Sequence, residues 1–193
     1  MQRWCGRVML AMFLLGFGHS AQATQFTVGE LMGALANNKH GAATFTEKKY
    51  ISILDHPVVS SGELLFVPPA RLEKRTLKPK VETLVLDGDV LTVEQQRQKH
   101  VLQLKDYPEV AAMIESIRAT LAGDRKALEG VYDLRLEGSS DRWTLTLTPL
   151  DTRVGRVVAR ILMEGTRGEV RTVEILQADG DRSVMSIQKG AGR

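Results

Sequence analysis

Cysteine is almost missing from this chain: Cys5 stands alone in 193 residues. No disulfide is therefore expected, and Cys5 lacks the preceding apolar and small residues of a lipid-attachment site, so neither is a lipid anchor. Long apolar runs are missing too. The longest, Val8–Phe17, is about ten residues, half of the roughly 20 a spanning helix needs. Catalytic signatures are equally scarce: there is no His-Glu-x-x-His motif, Cys/His cluster, Gly-x-Ser-x-Gly elbow or glycine-rich phosphate loop. His40, His56 and His100 stand singly, and Asp87/Asp89 and Asp179/Asp181 flank glycines without the distal Glu of a calcium loop. No metal, no cofactor and no enzymatic activity are expected, and the two Asp-Gly-Asp sites are read as hairpin turns.

A surplus of one charge is also lacking once the N-terminus is set aside. Arg3 and Arg7 precede the run Val8–Phe17, which leads through Gly18, His19 and Ser20 to Ala21-Gln22-Ala23. That is the layout of a secretory signal peptide, with cleavage expected after Ala23 and a soluble periplasmic product. The net charge of +3 then falls to +1, because residues 1–23 hold two arginines and no acid. Only Lys74, Arg75, Lys78 and Lys80 bunch together, which argues against nucleic acid and suggests a solvated strand edge.

What is present is a regular texture. Val28, Leu31, Met32 and Leu35 recur at helical spacing behind Thr27, with Asn37, Asn38 and Gly41 as the stop. Short runs rich in Val, Ile, Leu, Phe and Thr follow at 43–54, 58–67, 71–77, 82–87, 90–95 and 97–104, with Pro57, Pro68, Pro69 and Pro79 between them. Asp87-Gly88-Asp89 predicts a tight antiparallel hairpin. Pro108 opens a helix with Val110, Met113, Ile114, Ile117 and Leu121 on one face, closed by Gly123, and a short helical turn is expected near 124–129. Strands resume at 131–138, 141–148, 156–164, 168–177 and 182–188. About ten antiparallel strands with one apolar face and two amphipathic helices predict a mainly β, α+β fold: a curved sheet closed over by helices. Residues 24–193 read as one domain.

The inward face is large for the chain. Phe45, Leu64, Phe66, Leu84, Leu86, Leu91, Val93, Leu102, Leu104, Trp143, Leu145, Leu147 and Met185 could all share it, with Met113, Ile117 and Leu121 of the second helix opposite. Periodicity leaves two readings of this face open, a filled core and an apolar binding cavity.

In order along the chain, Ala43-Thr44-Phe45-Thr46-Glu47, Ser61-Gly62-Glu63-Leu64-Leu65-Phe66 with Pro68-Pro69 and Arg71-Leu72-Glu73-Lys74, Leu86-Asp87-Gly88, Leu145-Thr146-Leu147-Thr148-Pro149 and Asp179 through Met185 resemble the periplasmic outer-membrane lipoprotein carrier family, the LolA-like proteins. The resemblance covers essentially all of the chain beyond residue 23. It implies an unclosed β-barrel with helices as a lid over an apolar cavity that shelters acyl chains. It further implies an inner-membrane transporter as loading partner, an outer-membrane acceptor, and a monomer. Some carriers fasten the lid through a basic residue before the proline in the segment matching Phe66–Leu72; Val67 and Pro68 stand there instead, so that fastening is not carried over. The chain also ends soon after the Ser183–Gln188 strand, without the C-terminal extension of some members, which suggests a divergent branch whose cargo is another acylated molecule, such as a glycolipid or pigment-like lipid.

Three functions fit: a lipid or lipoprotein carrier; a periplasmic sensor or interaction module on the same fold that binds lipidated or membrane-protein partners; and a hydrolase of envelope lipids. The last lacks a nucleophile constellation. On the cavity reading, a smaller residue at Leu86 or Leu145 should alter chain-length preference.

Overall fold

Thr27 and Glu30 start the first helix reciprocally. Thr27 Oγ1 accepts the Glu30 N–H at 3.2 Å and Glu30 Oε2 accepts the Thr27 N–H at 2.8 Å, a capping box that satisfies two otherwise orphaned donors. The computed structural model describes residues 26–37, 41–96 and 98–190. The expected signal peptide, cleavage site, Cys5, Asn38 and His40 lie outside the described residues. Helix α1 (Val28–Ala36) buries Leu31, Met32 and Leu35. No helix among the described residues is long and apolar enough to cross a membrane.

Eleven strands follow: β1 (Gly41–Tyr50), β2 (Val58–Val67), β3 (Arg71–Lys78), β4 (Glu82–Asp87), β5 (Val90–Gln95), β6 (Gln98–Gln103), β7 (Tyr132–Ser139), β8 (Arg142–Pro149), β9 (Val158–Thr166), β10 (Glu169–Gln177) and β11 (Arg182–Lys189). Their order in one sheet is β6-β5-β4-β3-β2-β1-β11-β10-β9-β8-β7. Each hairpin lays the next strand beside the last, and β1 joins β11 antiparallel. The end strands β6 and β7 are not paired to one another, so the curled sheet is an unclosed barrel.

The chain crosses that gap by a 3-10 turn (Leu104–Asp106), α2 (Pro108–Ala122) and α3 (Arg125–Glu129). Pro108 occupies the start of α2, where a missing N–H costs nothing. Gly123 ends it in the left-handed region at φ 71, with the Asp124 N–H reaching back to the Ala119 carbonyl at 2.8 Å. A β-carbon on Gly123 would lie 2.3 Å from the Met32 carbonyl oxygen and 2.7 Å from Ala36 Cβ, so this glycine also sets how closely α2 crosses α1. Gly123→Ala should therefore destabilise the fold by more than the ~1 kcal/mol that a left-handed alanine alone costs; chemical denaturation at equal m-value checks it.

Several local expectations need correction. β1 stops at Tyr50 rather than 54, because the Leu54 N–H turns back to the Ile51 carbonyl at 2.9 Å. Leu104 leaves β6 for the 3-10 turn, where it is buried. A short helix, α4 (Thr152–Gly155), intervenes between β8 and β9, capped by Asp151. The basic stretch from Lys74 is not on a strand edge: β3 lies inside the sheet between β2 and β4, and Lys74 faces inward. Val110 is exposed rather than part of the inward stripe of α2.

Candidate functional site

Strand alternation sends every second residue to the inner face, and the register decides which of them meet. Phe66, Leu72, Leu86, Leu91 and Leu102 are successive partners across β2–β6, and Ala43, Leu64, Lys74, Leu84 and Val93 form the next row. Beyond β1 the row Glu47, Met185, Val173, Met163 and Leu145 continues round the sheet.

The inner face divides in two. Over β7–β9 it is filled: Trp143, Leu145, Leu147, Ile161 and Met163 pack with Leu31, Met32 and Leu35 of α1, Ala119 of α2 and Leu128 of α3. Over β2–β5 and β10–β11 it is not. A cavity of about 480 Å³ remains there, within the ~300–1,000 Å³ usual for ligand sites. Its walls are Leu64, Phe66, Leu72, Leu84, Leu86 and Leu91 on one side, Val173, Ile175, Met185 and Ile187 on the other, and Met113, Ile114, Ile117 and Leu121 of α2 across the opening.

Nine of the sixteen residues expected to face lipid line this cavity: Leu64, Phe66, Leu84, Leu86, Leu91, Met113, Ile117, Leu121 and Met185. Val93 and Leu102 stand half-buried toward the open edge, and Leu104 is buried in its turn. Trp143, Leu145 and Leu147 are at most 1% exposed, and they belong to the filled half because α1 to α3 sit directly upon it. Phe45 is not in the wall either. It lies opposite Gly62, where a β-carbon would come within 3.0 Å of its ring and 1.9 Å of the Arg75 carbonyl oxygen. Ile114 of the helical stripe also lines the cavity, and so do Leu72, Ile175 and Ile187, which strand alternation marks but which are absent from the expected set.

The helix over the cavity is held to the β4–β5 turn by Arg118, whose Nη1 donates to the Gly88 carbonyl at 3.0 Å. Glu115, one turn earlier, pairs with the same guanidinium at 2.5 Å. Arg118 thus ties the helix to the sheet from the helix side.

A buried polar cluster interrupts the apolar wall, apart from the charged rim of Glu169, Arg171 and Lys189. Glu47 is 5% exposed, yet its carboxylate accepts from Lys74 Nζ at 2.6 Å, Ser183 Oγ at 2.6 Å and Ser60 Oγ at 3.4 Å. Lys74 Nζ also lies 5.0 Å from the Phe45 ring centroid, a cation–π distance. No sequence signal announces this cluster, since it joins β1, β2, β3 and β11. Burial pushes the Glu47 carboxyl up, but hydrogen bonds from Lys74 and Ser183 and the charges of Lys74 and Lys49 outweigh it, holding the group below the usual carboxylate range. A carboxyl depressed in the folded state stabilises above its unfolded pKa, and that stability is lost as pH falls through the folded one. Melting temperature should thus fall more steeply from about pH 5 to about pH 3 in the wild type than in Glu47→Gln; equal slopes would show that Glu47 is not the group responsible.

Among known proteins, the family model described as outer membrane lipoprotein carrier protein LolA-like matches residues 20–192. A search of curated proteins returns no match. Among solved structures, the chain is similar to a LolA superfamily protein from Nitrosomonas europaea, at 13% identity over 85% of this chain and 92% of that one, with a TM-score of 0.46. It is also similar to the MucA/MucB complex structure from Pseudomonas aeruginosa, at 17% identity over 86% of this chain and TM-score 0.44, spanning 58% of that chain. A third is lipoprotein LppX from Mycobacterium tuberculosis, at 9% identity over 86% of this chain and 96% of that one, with TM-score 0.43.

Proposed function

Because the chain belongs to the outer membrane lipoprotein carrier protein LolA-like family, we propose that it shelters the acyl chains of a lipoprotein or other acylated lipid and delivers them across the periplasm toward the outer membrane. The observation that carries this is the cavity of about 480 Å³ walled by Leu64, Phe66, Leu84, Leu86 and Met185 beneath α2. Each methylene withdrawn from water gains about 0.8 kcal/mol, so such a wall retains an acyl chain that would otherwise not cross an aqueous space at a useful rate. Release requires the cover to move, and α2 is suited to it: its cavity face is apolar, and Arg118 ties it to the β4–β5 turn through a side-chain hydrogen bond. On this reading residues 1–23 are a signal peptide removed near Ala23, and residues 24–193 act as one soluble domain. A membrane transporter loads it and an outer-membrane acceptor receives the cargo.

The test is mass spectrometry of an organic extract from protein purified out of its native periplasm, beside the intact mass of the polypeptide. The expected result is acylated lipid or lipoprotein in near-stoichiometric amount and a chain beginning at Thr24. A lipid-free protein that binds no acyl probe would leave the cavity as unfilled packing and overturn the proposal.

A further inference from the structure

Two charged groups stand on the cavity lining: Glu169 with Arg171 and Lys189 at one rim, where both cations pair with the one carboxylate, and the Glu47 cluster, which has unspent hydrogen-bonding capacity. Glu47 is already satisfied by Ser183, Lys74 and Ser60. Lys74 is not: an ammonium carries three donors, of which one goes to Glu47 at 2.6 Å and one side is turned to the Phe45 ring. Its side chain keeps 22% exposure, and Lys74 lines the cavity together with Lys49 and Ser183. Lys49 is close enough for its charge to act on Glu47. Glu73, also on the lining, is answered by Arg71 at 3.6 Å. Two cations therefore face one anion at this corner, an excess of one positive charge beside an apolar chamber.

We propose that this corner is an anion subsite: Lys74 Nζ, held in place by Glu47 and Phe45 and supported by Lys49, donates a hydrogen bond to the single negative charge of the acyl amphiphile whose chain lies against Leu64 and Leu84. The shared chemistry is a monoanion, which a fatty-acid carboxylate or a phosphodiester headgroup would each supply. A neutral ester has no charge to offer, and a dianion would meet the Glu47 carboxylate with an uncompensated negative charge. The proposal rests on the acyl-binding reading above and adds which end of the ligand is recognised and by what.

The experiment is displacement of the neutral dye Nile red from the purified chain by palmitate and by its methyl ester, and by dipalmitoyl phosphatidylglycerol and dipalmitoylglycerol. In the wild type at least one anion should bind about tenfold tighter than its neutral partner, the yield of one charge-assisted hydrogen bond; which pair shows the larger ratio identifies the source of the charge. In Lys74→Met the ratio should fall to about twofold or less. Since that variant leaves Glu47 buried without its cation, the double variant Glu47→Gln/Lys74→Met, which removes both charges, and Lys49→Met, at an exposed position, carry the same test. Equal binding of acid and ester in the wild type overturns the subsite and leaves the cavity standing. So does a ratio that survives in Lys74→Met and in the double variant, or one lost instead in Lys189→Met at the other rim. Binding of none of the four overturns both the subsite and the acyl-binding reading.

Discussion

Trp143→Ala should lower the unfolding free energy by about 3–5 kcal/mol and leave the acyl affinity of the remaining folded protein unchanged. Trp143 is 1% exposed and packs with Leu145, Leu147, Ile161 and Met163 in the filled half of the barrel. Its indole Nε1 donates to the Arg167 carbonyl at 2.9 Å, so truncation leaves a void and also strands a carbonyl. Against a total stability of about 5–15 kcal/mol for a domain of this kind, that loss corresponds to a melting temperature lower by about 10 °C or more. Leu145→Ala, at a residue with no exposure, should behave alike at about 3 kcal/mol. The expectation that Leu145 tunes chain length is thereby withdrawn and stays with Leu86, which lines the cavity. Thermal melts beside a lipid-probe titration decide the matter: a Trp143→Ala protein that melts like the wild type but no longer binds the probe would return Trp143 to the lipid-facing wall.

The opposite split is expected at Ile117. This residue lines the cavity from α2 and is only partly buried, while the face of α2 pressed on the rest of the protein carries the small residues Ser116, Ala119 and Thr120. Asp in place of Ile117 therefore projects into a chamber that water can enter, and its carboxylate stays hydrated. The melting temperature should fall by no more than about 5 °C. Acyl binding should weaken by tenfold or more, because an occupying chain would have to strip water from a charge. Ala119→Asp, two residues along the same helix at 2% exposure, provides the contrast: there the carboxylate has no water to reach, and several kcal/mol of stability should be lost. A collapsed melt for Ile117→Asp would make α2 a permanent core element and remove the lid from the mechanism.

How far these residues could be told apart before the structure follows from the range of the forces involved. Thr27 and Glu30 announce a helix start because the capping contacts span three residues, and Pro108 and Gly123 bracket α2 for the same local reason. Alternation along β7 to β11 discloses an inner and an outer face because the pleat repeats every two residues, and Asp87-Gly88 turns the chain by its own backbone preference. Local chemistry thus determined the elements, their antiparallel succession and the list of inward side chains. It could not determine which of them stay unfilled. Leu86 and Leu145 have the same residue type and the same alternation, yet one lines a cavity and the other a packed core, because α1, α2 and α3 settle on β7–β9 and the cavity face of α2 spans the rest. The Glu47–Lys74 pair lies further still from any local rule. Those residues are 27 positions apart on strands separated by β2, and they touch because the register and the inward curl bring two long side chains together. Tertiary structure alone decided where the wall is apolar, where it is charged and where it is empty, since each depends on surfaces that meet only after the sheet has curled.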